Sequence, residues 1–473
     1  MLVTAAFLAT LATLPPRPAY AVAIGDEAAK DPAWKAVAEA LVAKHGGAAN
    51  VPLVTFNPAK PESLIEPLKP IHPTYLAIVV RPSEAGRDVV GGIHRATRKL
   101  DDDPYGDTRW GLVTGRTPEG AMALAKQSAP LSMTSAAGTA DFPMQLFPKH
   151  WWWSEEGKHS FTMHPDGGEA KPKLDAMALA KDVADAVNAG PIDLFLSSGH
   201  ATERGLELGF RQRAGRIGPK DGKIVVECVD GSVLPVSSTN PKAWIGVGNC
   251  LIGHVDGPDS AACTLIDSFG VRAHVGYVVV TWFGRGGWGT LSWFTDQAGR
   301  YTLNEAWFLN NQAILDELLR RFPAFVDRTF DGWSQDKPEQ FAANVAREAG
   351  HLGLQLDENA MRDLAGLLWD RDAVAYIGDP AWDARIAPHE QPFTIRDEST
   401  AKEMRIGLAM DKESRGVPPA FFPSVAFAKP TIAEGQELDP LLTDDFCMLR
   451  KANDLKPGTR ATLVVRDGSN SSS

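Results

Sequence analysis

"DAVNAGPIDLFLSSGHATERG", residues 185–205, decides how this chain is read. A helical run closes at Gly190-Pro191, an apolar run of strand length covers Ile192 to Leu196, and the chain turns polar at Ser197-Ser198-Gly199 with His200 next. A short apolar run between turn signals fits a strand buried on both faces, as in parallel sheets. In open α/β sheets, sites lie beyond the carboxyl ends of the strands. His200 therefore stands where a reactive group belongs. A second run, "WIGVGNC" (244–250), delivers Cys250 in the same way and is followed by the turn "LIGHVDG" (251–257). The separation is 250 − 200 = 50 residues, room for one crossover and its loops. If the two strands are neighbours, imidazole and thiol project into one crevice.

That pair has a chemistry. A free thiol ionises near pH ~8.5, and its thiolate is the strong nucleophile. An imidazole, with a pKa of about 6.5, can take that proton and deliver it to a leaving amine. Backbone N–H groups at the two turns can hold a tetrahedral oxyanion, each worth ~3 kcal/mol. The structural readings stand beside this one. Cysteine is commonly buried for packing, and a histidine after a strand is commonly a loop residue. On spacing and pattern alone both readings are open.

Working outward, the first part of the chain alternates. "AYAVAIG" (19–25), "VPLVTF" (51–56), "YLAIVV" (75–80) and "RWGLVTGR" (109–116) read as strands. Between them, "DPAWKAVAEALVAKHGG" (31–47), "PESLIEPLKPI" (61–71), "DVVGGIHRATRKL" (88–100) and "TPEGAMALAKQ" (117–127) read as helices. The first of these has Asp31 as N-cap, Pro32 at its first position and Gly46-Gly47 at its end. A second alternation starts at "PLSMTSA" (130–136), passes an irregular aromatic segment, "FPKHWWWSEEGKHSFTMH" (147–164), and reaches the amphipathic helix "KLDAMALAKDVADAVNAG" (173–190). Strand-helix alternation implies a parallel sheet with helices on its faces. From about residue 385 short alternating runs such as "FTIRD" (393–397) and "RATLVVRD" (460–467) predict a small β domain, with a disordered "SNSSS" at the end. The predicted organisation is a leader over 1–21, an N-terminal Rossmann-like α/β subdomain over 22–128, a second α/β subdomain over 129–384 and a β domain over 385–473.

Composition bounds the partners. The 473 residues carry 48 Lys and Arg against 59 Asp and Glu, a net charge of −11. An acidic chain has no electrostatic footprint for a phosphate backbone, which argues against nucleic acid. The segment Leu2 to Leu14 has the length of a signal-peptide core, too short to span a bilayer, and Ala19-Tyr20-Ala21 fits the small-x-small cleavage rule. This predicts export to the periplasm, the cell surface or the medium, with a cytoplasmic protein as the alternative because no basic residue precedes the apolar core. No later run is long enough for a membrane span. The four cysteines, Cys228, Cys250, Cys263 and Cys447, show no metal-binding spacing, and one working thiol would leave three, an odd number for a disulfide framework.

The two quoted strand ends, taken together, resemble the gingipain family of cysteine peptidases in the caspase-like clan. Three further stretches are similar to that family in the same order: "PYGDTRWGLVTGRTPEGAMALAK" (104–126), "GVRAHVGYVVVTWFGRGGW" (270–288) and "AVAYIGDPAWDARI" (373–386). The similarity covers roughly residues 20 to 385. It implies a caspase-like fold and peptide-bond hydrolysis without a cofactor, with His200 as general acid/base and Cys250 as nucleophile. It also implies the N–H groups of Ala201 and Cys250 as oxyanion donors, and Trp288 or Trp282 flanking the substrate pocket; both tryptophans read equally well as core. Arginine-cleaving members place an acid upstream of the histidine, and in "TSAAGTADFPMQL" (134–146) only Asp141 offers itself. The family has Gly after the histidine where this chain has Ala201. If the position needs a positive φ, the cost to an alanine is about 1–2 kcal/mol, so Ala201→Gly is expected to keep or raise kcat.

The expected partner is a protein or peptide substrate. The same thioester resolved by an amine would make the protein a transpeptidase, and loss of activity would leave an exported scaffold; oligomeric state has no signature. Clustered carboxylates in "DDDPYGD", Asp101, Asp103 and Asp107, offer a calcium site, although such clusters are commonly solvated loops. His150, His159 and His164 lack a third-ligand spacing for a metal, and "WWW" (151–153) is expected to pack under the neighbouring helix.

Overall fold

The computed structural model describes residues 19–157, 160–165, 175–211, 213–400, 402–424, 427 and 430–468. The leader core, His159 and the final "SNSSS" stretch from Ser469 lie outside the described residues. No described helix is long and apolar enough to cross a membrane. Pro18–His389 forms one compact unit, and Glu390–Ser473 belongs to another.

In the larger unit, strands β1 (Tyr20–Gly25), β2 (Leu53–Phe56), β3 (Tyr75–Val79) and β4 (Arg109–Val113) alternate with α1 (Pro32–Lys44), the one-turn α2 (Ile65–Leu68), α3 (Arg87–Ala96) and α4 (Pro118–Lys126). The Asp31 side chain caps α1 by accepting the Ala33 N–H at 2.9 Å, with Pro32 at the first helical position. Next come β5 (Leu131–Met133), β6 (Ser135–Gly138), β7 (Lys149–Gly157), β8 (Ser160–Pro165), α5 (Ala176–Ala189) and β9 (Leu194–Gly199). An antiparallel meander of β10 (Ala201–Thr202), β11 (Gly205–Leu208), β12 (Gly215–Lys220), β13 (Lys223–Glu227) and β14 (Val233–Pro235) separates β9 from β15 (Lys242–Asn249). The unit closes with α6 (Ala261–Phe269), β16 (Val271–Tyr277), α7 (Arg285–Thr295), α8 (Leu303–Arg321), α9 (Pro338–His351), α10 (Glu358–Asp370), β17 (Val374–Gly378) and β18 (Ala384–Ile386).

Eleven of these strands build a single mostly parallel sheet in the order β2-β1-β3-β4-β17-β16-β15-β9-β6-β7-β8. It runs through both segments that the sequence assigned to separate α/β subdomains. β17 joins the two parts, pairing with β16 antiparallel from Tyr277–Val374 to Ala273–Gly378 and meeting β4 at Ile377–Leu112. The predicted strand over 130–136 is instead two. The Asp193 carboxylate accepts the N–H groups of Thr134 (2.9 Å) and Ser135 (3.0 Å), which turns the chain between β5, paired with β18, and β6 in the main sheet. The aromatic segment read as irregular forms the β7–β8 antiparallel ribbon at the sheet edge. Trp153 is buried and donates its indole N–H to Asp182 of α5 at 2.9 Å, as the helix-packing reading of the triplet anticipated, while Trp151 and Trp152 are half-buried.

β1 is buried along its whole length. A cut after Ala21 would fall inside this strand and remove Tyr20, whose hydroxyl donates to Asp379 at 2.8 Å. The second unit is wholly antiparallel, with sheets β19-β20-β25-β22 and β21-β24-β23. Here β19 is Phe393–Asp397, β20 Glu403–Met410, β21 Ala420–Phe421, β22 Pro430–Glu434, β23 Pro440–Leu442, β24 Cys447–Leu449 and β25 Arg460–Asp467.

Asp379, just past β17, also accepts from Lys44 Nζ at 2.6 Å and meets His45 Nε2 at 2.8 Å. Burial alone would raise its carboxyl pKa, but the His45 hydrogen bond and the Lys44 charge hold it below the ordinary range. A depressed carboxyl contributes stability above its unfolded pKa of about 3.9 and loses it as pH falls toward the folded value. Asp379→Asn is expected to cost on the order of 3 kcal/mol at pH 7 and to flatten the fall in stability below pH ~4. Urea unfolding at pH 7 and pH 3 measures both.

Candidate functional site

The relation between the two candidate residues is set by the pairing of β9 with β15. Leu194, Phe195, Leu196 and Ser197 face Ala243, Trp244, Ile245 and Gly246, an offset of 49 residues, whereas Ser198 and Gly199 face Gly248 and Asn249, an offset of 50. Val247 is the extra residue, a β-bulge in a parallel pair. With the bulge, His200 and Cys250 are the residues that directly follow the last pair, Gly199–Asn249, of two adjacent strands, whose spacing is about 4.8 Å. Glycines flank it on both sides. A Cβ on Gly248 would come within 2.5 Å of the Ser198 hydroxyl. Below the bulge the strands are locked by the stacked pair Phe195–Trp244, with centroids 4.2 Å apart, and by the Trp244 indole N–H donating to Ser197 Oγ at 3.0 Å. Above it, the buried Asn249 donates its amide to the Gly199 carbonyl at 2.9 Å. The residue before the cysteine thus holds the residue before the histidine.

Past the thiol the chain is folded back against the extension of β16. Leu251 adopts a left-handed conformation, φ 59°, which costs a non-glycine residue about 1–2 kcal/mol. It is held by its N–H on Val279 O (3.2 Å), by Gly253 N–H on Tyr277 O (2.9 Å) and by His274 Nε2 on Ile252 O (3.1 Å). The half-buried Cys250 accepts the Thr281 N–H on its sulfur at 3.3 Å. The adjacent Val280 N–H goes to Asp336 Oδ1 at 3.0 Å, and Arg87 binds the same carboxylate while donating to His254 Nδ1 at 3.2 Å. Burial and the Arg87 charge lower the His254 pKa, keeping the imidazole a neutral acceptor.

His200 is exposed, and its ring stacks on Phe210 with centroids 5.0 Å apart and planes 13° from parallel. Its carbonyl accepts the Glu207 N–H at 2.8 Å, which makes His200–Glu207 a hydrogen-bonded pair and Ala201–Leu206 the next, non-hydrogen-bonded one. The Ala201 N–H is therefore turned to the outer edge of β10, the first strand of the meander. The condition raised for this turn is not met: the residue with positive φ is Gly199, φ 130°, and Ala201 is not among the residues with positive φ. No strain exists at Ala201 for a glycine to relieve.

Trp288 lies in the first turn of α7, 39% exposed, with its indole nitrogen 3.6 Å from where a Gly248 Cβ would sit. The helix start is fixed from beneath. Buried Asp370 accepts the Gly286 N–H at 3.2 Å and the Tyr277 hydroxyl at 3.4 Å, and Tyr277 accepts the Gly287 N–H at 2.9 Å. Burial pushes the Asp370 carboxyl up to about 6 against these donors. Trp282 follows Thr281, is 41% exposed and packs its ring edge-on to Trp369. Asp141 is exposed, three residues past the end of β6, the strand beside β9.

The three loop carboxylates lie elsewhere. Asp101 Oδ1 accepts the Asp103 N–H, Asp103 Oδ1 the Tyr105 N–H, and the buried Asp107 the Leu100 N–H at 2.7 Å. Asp101 has a carboxylate oxygen within 4.8 Å of one on Asp103 and of one on Asp107. Cys263 and Cys447 are buried, which raises their thiol pKa values. Asn249 could have been noticed in the sequence as the neighbour of Cys250. Thr281, Asp336 and Phe210 carry no local signal, because each acts through a distant element.

No family model matches the chain, and no curated protein matches it. Two solved structures align with it. One is the Arg-specific cysteine proteinase gingipain R (RGPB), with a TM-score of 0.41 and 10% identity over 95% of this chain and 92% of that one. The other, described as a protease, aligns with a TM-score of 0.41 and 11% identity over 96% of both chains.

The Asn249 clasp has a direct test. Asn249→Ala leaves the buried Gly199 carbonyl without its donor and is expected to cost about 1–3 kcal/mol. Chemical denaturation measures this loss, and an unchanged midpoint would show that the clasp contributes nothing.

Proposed function

We propose that the protein is a cysteine endopeptidase of the gingipain-like, caspase-like type, with Cys250 as nucleophile and His200 as general acid/base. The observation that carries this reading is the Val247 bulge, after which the two residues follow the last pair of adjacent buried strands, Gly199–Asn249. The Thr281 N–H on the sulfur supports it, since that bond fixes where the sulfur sits at the end of β15.

In this reading the Cys250 sulfur attacks the peptide carbonyl carbon as His200 takes the thiol proton. The oxyanion is met by the N–H groups of Ala201 and Cys250. Collapse breaks the C–N bond, the imidazolium gives its proton to the departing amine, and a thioester remains. His200 then draws a proton from water, whose oxygen replaces sulfur to release the acid and restore the thiol. Every proton and bond is accounted for by the dyad and water. Trp288, Trp282 and Asp141 are proposed to border the substrate groove. The protein is proposed to be exported, and the burial of β1 favours any leader being removed before Tyr20.

Cys250→Ala is expected to abolish cleavage of a fluorogenic peptide library while leaving the circular-dichroism spectrum and the unfolding midpoint unchanged. Cleavage at the wild-type rate would remove the assignment. Ala201→Gly is expected to stay within about threefold of wild type in kcat, because an extended alanine already presents its N–H. Steady-state kinetics on the same substrates decide this, and a tenfold gain would mean that the turn is strained after all.

A further inference from the structure

Phe210 is 64% exposed, yet its ring is held in a defined place, flat against His200. The turn that carries it, between β11 and β12, is gripped from another element. The Glu155 carboxylate on β7 accepts the Phe210 N–H at 2.6 Å and the Arg211 N–H at 2.8 Å on Oε2 and 3.1 Å on Oε1. A carboxylate receiving two consecutive backbone N–H groups fixes the course of the chain there. An exposed aromatic ring on a turn gains little from burial and loses rotamer freedom when ordered. Its placement is then explained by what it covers.

We propose that Phe210, held by Glu155, is a positioning residue for His200. This rests on the reading of His200 and Cys250 as a dyad. A ring stacked face-on leaves the nitrogens of the imidazole free at its edge, and it blocks the rotation that would turn the imidazole into solvent. The backbone at Gly199 and His200 is held by Asn249 and Glu207, but the exposed His200 side chain is not held by those bonds. Phe210 supplies that restraint, and the aromatic ribbon β7–β8 supplies the anchor through Glu155. The edge ribbon thereby becomes part of the dyad's support.

The test needs no known substrate. Iodoacetamide alkylation of Cys250 at neutral pH, followed by mass spectrometry, reads how well the imidazole serves the thiol, and His200→Ala sets the floor. Phe210→Ala is expected to slow alkylation ~3- to 10-fold, the range that loss of one aromatic stack spans. Phe210→Tyr, which keeps the ring, is expected to restore it, and Glu155→Gln to fall between. In a His200→Ala background, Phe210→Ala is expected to add nothing. The histidine NMR spectrum supplies a second readout: the ring-current shift on the His200 ring protons is expected to vanish in Phe210→Ala and persist in Phe210→Tyr. Unchanged alkylation in a folded Phe210→Ala protein, while His200→Ala slows it, overturns the positioning role and leaves the dyad standing. Unchanged alkylation in both overturns the dyad and the positioning role with it.

Discussion

One extra residue in one strand, Val247, sets the geometry on which the candidate site depends. Without it, β9 and β15 would keep the offset of 49 that they hold from Leu194 to Ser197, and His200 would lie level with Asn249. Side chains alternate across a strand, so a slip of one residue changes which groups face each other and which face of the sheet they leave from. Gly246 and Gly248 give the chain room to bulge, and the Phe195–Trp244 stack fixes the register below it. The bulge is stable because both sides of it are pinned.

A second constraint comes from the other flank of the thiol. Leu251 is left-handed, with its own N–H on Val279 O and the Gly253 N–H on Tyr277 O, so the turn after Cys250 is stiff and carries stored strain. The same stretch of chain returns through Val280 and Thr281, where Asp336 holds one N–H and the Cys250 sulfur takes the next. Arg87, which also donates to His254, braces Asp336 in turn, and this connects the start of α3 to the stretch that meets the thiol. Polar groups buried in such a chain are stabilising only when each has its partner.

The two candidate residues differ in how they are fixed. Cys250 is set by backbone: a bulge before it, a left-handed residue after it and a backbone donor on its sulfur. His200 is exposed, follows a glycine, and is oriented by side-chain packing from a separate turn. This division fits the roles proposed for them, a nucleophile whose position must not change beside an imidazole that passes a proton between groups.

Much of the fold could be read from the sequence because its signals are local. Apolar runs ending in Gly, His or Cys, N-caps such as Asp31 and prolines at helix starts act over a few residues, and the strands and helices of the larger unit formed where those signals lay. The split at Thr134 was not legible, because it is made by Asp193, some sixty residues away in the chain. The ribbon at 149–165 was hidden because the consecutive tryptophans of β7 break any alternation, and β7 is placed by pairing with β6 on one side and β8 on the other. At the site, sequence determined which residue types end which strands, since hydrophobic periodicity and turn chemistry fix where a buried strand stops. Tertiary structure alone decided that Val247 bulges, that Asn249 reaches Gly199, that Thr281 meets the sulfur and that Phe210 covers His200. Those relations depend on register and packing between segments dozens of residues apart, and no local propensity encodes them.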